Sequence, residues 1–298
     1  MQKRKKRWGK KFEDKRNWKE YNEQLIRRGE FYINPTFLET WDEEIEELNK
    51  GKVGQPYKYP NSMIAFLAVL RSKGFDYRAL EGIIRILSEK LGPFPVICYS
   101  QIRRRILKLP MHFESEARSN IVSCDGSGIK VSNRGEWMRE KWKVRRGWIK
   151  VVIMGDINGN IVDIRIGDEE LDEKKASREM IEENKDIDCV ILDGLHDSDT
   201  FDLCKELGIV PAIKIRKNAS SKGFSKRAEE VRLYKKLGYK EWAKHKGYGM
   251  RWVASEGIFS AVKRIFGENV RSYKVENAYK EARMKFRAYQ QLRNLAEL

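Results

Sequence analysis

The chain has 298 residues, of which 61 are Lys or Arg and 44 are Asp or Glu, a formal charge of +17 at neutral pH. With 41% hydrophobic residues it can bury a core, which excludes global disorder, and its length suits two domains better than one. A positive excess of this size, clustered rather than spread, favours polyanionic partners and fast, salt-sensitive association.

Residues 1–19 run basic from Met1-Gln-Lys-Arg-Lys-Lys-Arg, with only Glu13 and Asp14 opposing, and read as a flexible arm. No apolar core follows these charges, so a secretory signal is not expected. No apolar run approaches the roughly 18 residues of a membrane span, so the expected location is cytoplasmic and nucleoid-associated, with no membrane partner. An acidic stretch, Glu39-Thr-Trp-Asp-Glu-Glu-Ile-Glu-Glu, predicts a solvated helix face, and residues 51–60, rich in Gly, Pro and Tyr, a connector. The four cysteines (Cys98, Cys124, Cys189, Cys204) lack CxxC spacing and a histidine cluster, which argues against structural zinc.

From Asn61 to Leu109 the pattern is helical three times over. Ser62 is the expected N-cap of the first helix, which stops at Lys73-Gly74. Asp76 is the expected cap of the second, with Leu80, Ile83, Ile84 and Leu87 at helical spacing before Leu91-Gly-Pro. The third follows Ser100 and carries Arg103, Arg104 and Arg105 at its start. Two helices, a turn and a short basic helix fit a helix-turn-helix-like unit, with these three arginines as DNA contacts.

After Glu114 the period changes to that of strands. Strands are predicted over 120–125, 144–157 and 161–166, the last two joined by the Asn158-Gly-Asn hairpin turn, then over 188–193 and 210–215 with helices over 176–185 and 200–207. Three antiparallel strands followed by alternating helix and strand predict a mixed α/β sheet with helices on its faces. Residues 214–246 are strongly basic, with little apolar periodicity at their start, and read as an insertion or loop facing the substrate, with Lys214, Arg216 and Lys217 lining a DNA path. A helix carrying Glu256 and ending at Phe266-Gly267, and a final helix over 275–295, complete the chain.

Three carboxylates stand out. Asp125 and Asp193 each fall near the end of an apolar strand, and Glu256 lies on a later helix. Three acids converging on one point repel one another unless a divalent cation lies between them. Two Mg²⁺ ions roughly 4 Å apart could activate a water or a 3′-hydroxyl and stabilise the leaving oxygen of a phosphodiester. Local competitors have other work available: Asp197 and Asp199 can cap the following helix, Asp156 sits in the hairpin turn, and Asp163 and Asp168 flank it. His196 reads as a hydrogen-bonding partner rather than a ligand.

The chain from Gly54 onward resembles the DDE transposases of bacterial and archaeal insertion sequences. The resemblance rests on Gly54-Gln-Pro-Tyr, Tyr77-Arg-Ala-Leu-Glu-Gly, Tyr99-Ser-Gln-Ile-Arg-Arg-Arg, Cys124-Asp-Gly-Ser, Asp193-Gly-Leu-His-Asp-Ser and Glu256-Gly-Ile-Phe-Ser-Ala-Val-Lys-Arg-Ile-Phe-Gly, in this order. It implies a ribonuclease H-like catalytic domain, with Asp125, Asp193 and Glu256 as the catalytic, metal-binding triad for two Mg²⁺ ions that Mn²⁺ can replace. It further implies that Tyr248, Arg251 and Lys263 form, with Glu256, a Tyr…Arg…Glu…Lys signature contacting transposon-end DNA. Double-stranded DNA, as terminal inverted repeats and target, is the implied partner, and a homodimer the implied active complex.

Two departures stand in the pattern. His196 replaces the usual Tyr, and Arg251 and Glu256 are five residues apart where four is common, so that Ser255 takes the expected position. Either the helix bulges or Arg251 lies before its regular part. Glu256 to Lys263 is seven residues, two turns on one face. The expected organisation is a basic arm and acidic helical segment over 1–50, a helical DNA-binding domain over 51–115, and a catalytic domain over 116–298 with a basic insertion at about 217–247. The expected activity is metal-dependent cleavage at transposon ends and strand transfer of the 3′-hydroxyl into target DNA. The alternatives are a transposase-derived DNA-binding protein that no longer cuts, and a host nuclease of the same fold.

Overall fold

The computed structural model describes residues 17–110, 113, 119–131, 148–196, 198–272 and 274–297. Most of the expected basic arm and Asp197 therefore lie outside the described residues, but Trp18 and Lys19 already belong to a helix, α1 (Trp18–Ile33), capped by the Asn17 side chain. A 3₁₀ turn (Thr36–Leu38) leads to the acidic helix α2 (Trp41–Asn49), whose first turn carries Asp42, Glu43 and Glu44, the charge sign that suits a helix N-terminus.

Helices α3 (Asn61–Ser72), α4 (Tyr77–Leu91) and α5 (Tyr99–Ile106) form the helical unit. Asp76 caps α4 as expected, accepting from the amides of Arg78 and Ala79. Ser62 does not cap α3. The helix starts two residues earlier than such a cap would set it, after Pro60, and the orphan Ser62 amide donates instead to Glu44 of α2 at 3.1 Å. A long-range carboxylate has replaced the local hydroxyl. Leu67, Leu80, Ile84, Ile97 and Ile102 are fully buried between these helices, and Met284 from the far end of the chain joins them.

The remaining elements build a mixed sheet in the order β3-β2-β1-β4-β5, with β1 (Ile121–Val131), β2 (Trp148–Asp156), β3 (Ile161–Gly167), β4 (Cys189–Leu192) and β5 (Val210–Ile213). β1 to β3 are antiparallel, and β4 and β5 run parallel to β1, reached through connections that contain helices α6 (Glu173–Glu183) and α7 (Ser198–Glu206). A short strand, β6 (Asn269–Val270), pairs with the far end of β1. This is the ribonuclease H-like arrangement, a mixed sheet flanked by helices and preceded by a helical region. Side chains alternate across it, so one face buries Val122, Cys124, Val152 and Met154 against α6, while Ile129, Ile149, Val151 and Ile153 face the C-terminal helices.

The basic stretch after β5 differs from expectation. Its central part is not a loop but the helix α8 (Lys226–His245), with Ser225 accepting from Ala228 at its start and Gly238 kinking it at φ 71°. Its few apolar residues suffice because they are well placed: Ala228, Val231 and Trp242 are buried, and Trp242 donates to the carboxylate of Glu230 at 2.7 Å. The chain then forms a 3₁₀ turn (Tyr248–Met250), a π-helical segment (Trp252–Glu256), α9 (Gly257–Phe266), β6 and the long α10 (Val275–Glu297).

Candidate active site

The position of Asp125 corrects the expectation of a strand end. β1 continues six residues past it, and Asp125 pairs with Ile153 of β2 in mid-strand. What brings it to Asp193 is the parallel ladder on its other side. Ile121, Val122 and Ser123 pair with Cys189, Val190 and Ile191. Two residues further on, where β4 has just ended, Asp125 comes level with Asp193, and an even step keeps both on the same face. Adjacent strands lie about 4.8 Å apart, so the two carboxylates are neighbours. Burial pushes the Asp125 carboxyl up to about 6, with Arg251 opposing that rise and the charges of Glu173 and Asp193 adding to it.

Each acid is oriented by local backbone. Asp125 accepts from the amide of Gly126 at 3.0 Å, and Asp193 from that of Leu195 at 2.8 Å. The loop holding Asp193 is clamped by Arg216, whose guanidinium donates to the carbonyls of Gly194 (2.5 Å) and Leu195 (3.3 Å). Arg216 is thus committed to positioning this loop, a role that no sequence spacing announces. Gly126 leaves room for a side chain from the helix packed on β1. A β-carbon there would lie 2.4 Å from the carboxylate of Glu173, which reaches over β1 from the opposite face.

Glu256 arrives by way of the π-helical segment. Gly257 donates to the carbonyl of Trp252, the i→i−5 bond that accommodates one extra residue in the turn. The bulge alternative is therefore the one the fold adopts, and it accounts for the five-residue spacing. Ser255, at the position four after Arg251, is fully buried with its hydroxyl donating to the Arg251 carbonyl at 2.9 Å, whereas Glu256 faces out. The segment lies directly on β2. A β-carbon on Gly155 would come within 2.0 Å of the Ala254 carbonyl oxygen.

Arg251 joins the two halves. Its guanidinium hydrogen-bonds Glu256 and lies 3.5 Å from the Asp125 carboxylate. The nitrogen facing Asp125 is buried and forms no hydrogen bond among the described residues. Lys263, on α9, donates to Ser127 at 2.7 Å, and Ser127 is two residues beyond Asp125 on the same face of β1. Tyr248 is a largely buried ring packed on Trp242 at 5.3 Å between centroids, and burial pushes its phenol up to about 12. Asp193, Arg251 and Glu256 all act on that phenol electrostatically, so it borders the same space.

The other expected contacts divide. Lys214, Lys217, Arg103 and Arg104 are exposed, Lys214 lying over the Tyr239 ring at 5.6 Å. Arg105 is not free for DNA in the same way. It donates to the Tyr59 carbonyl and the Asn61 side chain and stacks on Tyr57, so it ties the connector to α5. The competing acids are occupied. Asp156 is fully buried and accepts from Ser119, Asn158 and Asn160, organising the hairpin; Asp163 pairs with Arg165, and Asp199 with Arg178. Asp168 accepts from the Glu170 amide. His196 is buried and held neutral, burial pushing it down to about 4, and its Nδ1 has no hydrogen-bond partner among the described residues.

Among the described residues no three His, Cys, Asp or Glu side chains are grouped closely enough to hold an ion. The donor set nevertheless suits a hard cation: carboxylate oxygens of Asp125, Asp193 and Glu256, with a guanidinium supplying positive charge between two of them. No helix among the described residues is long and apolar enough to cross a membrane. Two family models match the chain, each described as a transposase DDE domain, one over residues 26–134 and the other over 116–290. No curated protein matches it.

Proposed function

The chain belongs to the transposase DDE domain family, and on that premise we propose that it cleaves phosphodiesters at transposon ends and joins the freed 3′-hydroxyl to target DNA. The observation that carries this reading is the β1–β4 register, which sets Asp125 level with Asp193 and in reach of the Arg251–Glu256 pair. Asp125, Asp193 and Glu256 would hold Mg²⁺, or Mn²⁺ in its place. Bound there, two such ions would supply Lewis acidity and lower the pKa of a water or hydroxyl nucleophile.

The residues of the chain supply the remainder. Arg216 fixes the Asp193 loop so that its carboxylate keeps its place. Arg251 offsets part of the charge of Asp125 and Glu256, and its buried, unbonded nitrogen offers a donor to a phosphate oxygen of DNA at the seam. Lys263, fastened to Ser127, adds a positive charge along β1 for the DNA backbone. Lys214 and Lys217 extend that path, and Arg103 and Arg104 carry it to the helical region over 51–115, ahead of a catalytic region over 116–298. Two copies of the chain would pair the two transposon ends, in the nucleoid.

Replacing Asp125 or Asp193 by Asn is expected to lower cleavage of end DNA more than about 10³-fold while duplex binding stays within a few-fold, because the amide keeps the shape and loses the charge that binds the metal. Cleavage gels with Mg²⁺ beside gel-shift titrations without it measure both. Cleavage retained by either variant defeats the assignment. A pre-cleaved 3′ end that is not joined to target by the wild-type chain would reduce the activity to that of a nuclease.

A further inference from the structure

The helical region holds a concavity of about 390 Å³ between the connector and α5. Its walls bear Lys58, Arg104, Arg105 and Lys108, with no acidic residue among the described residues that line it. Gln101, Arg104, Arg105 and Lys108 follow one another at steps of three, one and three, which places them on one helical face running into the turn after α5. Opposite them is Tyr57, 41% exposed.

Two features make this a built surface. The Tyr57 backbone is fixed on both sides by the Asn49 side chain, which accepts from its amide at 2.7 Å and donates to its carbonyl at 2.9 Å. The Arg105 guanidinium is held by the Tyr59 carbonyl at 3.1 Å and Asn61 at 2.8 Å, and lies 4.9 Å from the Tyr57 ring centroid. The guanidinium, stacked over the ring that Lys52 also approaches at 5.0 Å, forms with it a platform set in place before any ligand arrives. Arg104 and Lys108 remain exposed at its edge.

We propose that this concavity binds one unstacked nucleotide of single-stranded DNA, its base against the Tyr57–Arg105 platform and its phosphate on Arg104 and Lys108. The volume suits a nucleotide and excludes a duplex about 20 Å across. A plane of aromatic and guanidinium groups is the surface on which bases of any sequence stack, and cations without acids suit the backbone. The Gln101 amide can both donate to and accept from a base edge. The proposal rests on the transposase reading, and names the DNA form that its helical region grips.

The full chain is titrated, in EDTA to prevent cleavage, into a fluorescent oligothymidylate of eight nucleotides and into a blunt duplex of equal length. Anisotropy is read across a salt series. Tyr57→Ala should weaken single-strand binding about 10-fold and leave the duplex within 2-fold, and Tyr57→Trp should restore it. Arg104→Gln with Lys108→Gln should reduce the single-strand salt slope by about 0.7, the value for one phosphate. Free thymidine monophosphate should compete, and inorganic phosphate at the same concentration should not. Equal losses on both DNA forms, no loss on either, or competition by phosphate alone overturns the proposal. Should Tyr57→Ala melt far below wild type, Lys108→Gln, at an exposed position outside the duplex path, carries the same comparison. A wild-type chain that binds neither DNA defeats the DNA-binding reading itself, whereas duplex binding with no single-strand preference at Tyr57 defeats only the pocket.

Discussion

The two halves of the candidate active site are built in opposite ways. Asp125 and Asp193 are brought together by regular structure, a parallel ladder whose register leaves the two acids level once β4 ends. Glu256 is delivered by irregular structure, a π-helical turn that accommodates one extra residue and buries Ser255 so that Glu256 can face the seam. A ladder tolerates many side chains provided its apolar alternation persists. A π turn depends on particular neighbours, because its wider backbone has to be received by something. Here the receiver is Gly155, which leaves β2 bare where the Ala254 carbonyl lies.

The sharpest way to break the contrast is to move the acid back to the commoner spacing. Ser255→Glu combined with Glu256→Ala places a carboxylate four residues after Arg251, at a fully buried site beside β2. Cleavage should fall more than about 10³-fold and urea unfolding should show several kcal/mol of destabilisation, since an unpaired charge would be buried. Activity near that of wild type would show that the bulge is incidental. Next in size, Gly155→Val forces a side chain into the Ala254 carbonyl and should cost more than about 3 kcal/mol by the same measurement, as overpacking against backbone does. A loss below about 1 kcal/mol would mean that the π segment can move away from the sheet.

The smallest effect concerns the end of α9. Lys285 is buried and donates to the carbonyls of Phe266, Gly267 and Asn269, satisfying the helix terminus. Burial lowers its pKa from 10.5 to about 8, partly offset by Glu281. Between about pH 8 and 10.5 the unfolded chain still holds the proton that the folded chain has lost, so stability from this group rises with pH, by at most about 3 kcal/mol. The difference in melting temperature between wild type and Lys285→Met, followed from pH 7.5 to 10.5, should widen in favour of wild type. A flat difference would mean that the lysine stays protonated throughout.

Legibility in the sequence follows the same division. The mixed sheet, the hairpin at Asn158-Gly159 and the Asp76 cap each follow from local pattern or period, and the structure has them. The extra residue between Arg251 and Glu256 was visible as a spacing, but only the fold distinguishes a bulge from an early helix start. Contacts made across the chain leave no local mark. Glu44 displaced Ser62 as the partner of the α3 terminus, Arg216 holds the Asp193 loop from the exposed side, and Arg105 was taken up by the connector. α8 was hidden because its anchors, Ala228, Val231 and Trp242, are sparse among lysines and interrupted by Gly238.

Glu281 also bears on how the two regions are joined. Its carboxylate lies in α10, forms a buried ion pair with Arg71 of α3, and accepts from Arg271 and Ser272 just after β6. Met284, one turn on, belongs to the core of the helical unit, while Ala282 and Phe286 belong to that of the sheet. One helix is therefore a wall of both cores. A grip on DNA by α5 and a cut at the β1–β4 seam would be the two marks of a single ruler, their separation in base pairs set by packing rather than by the length of a tether.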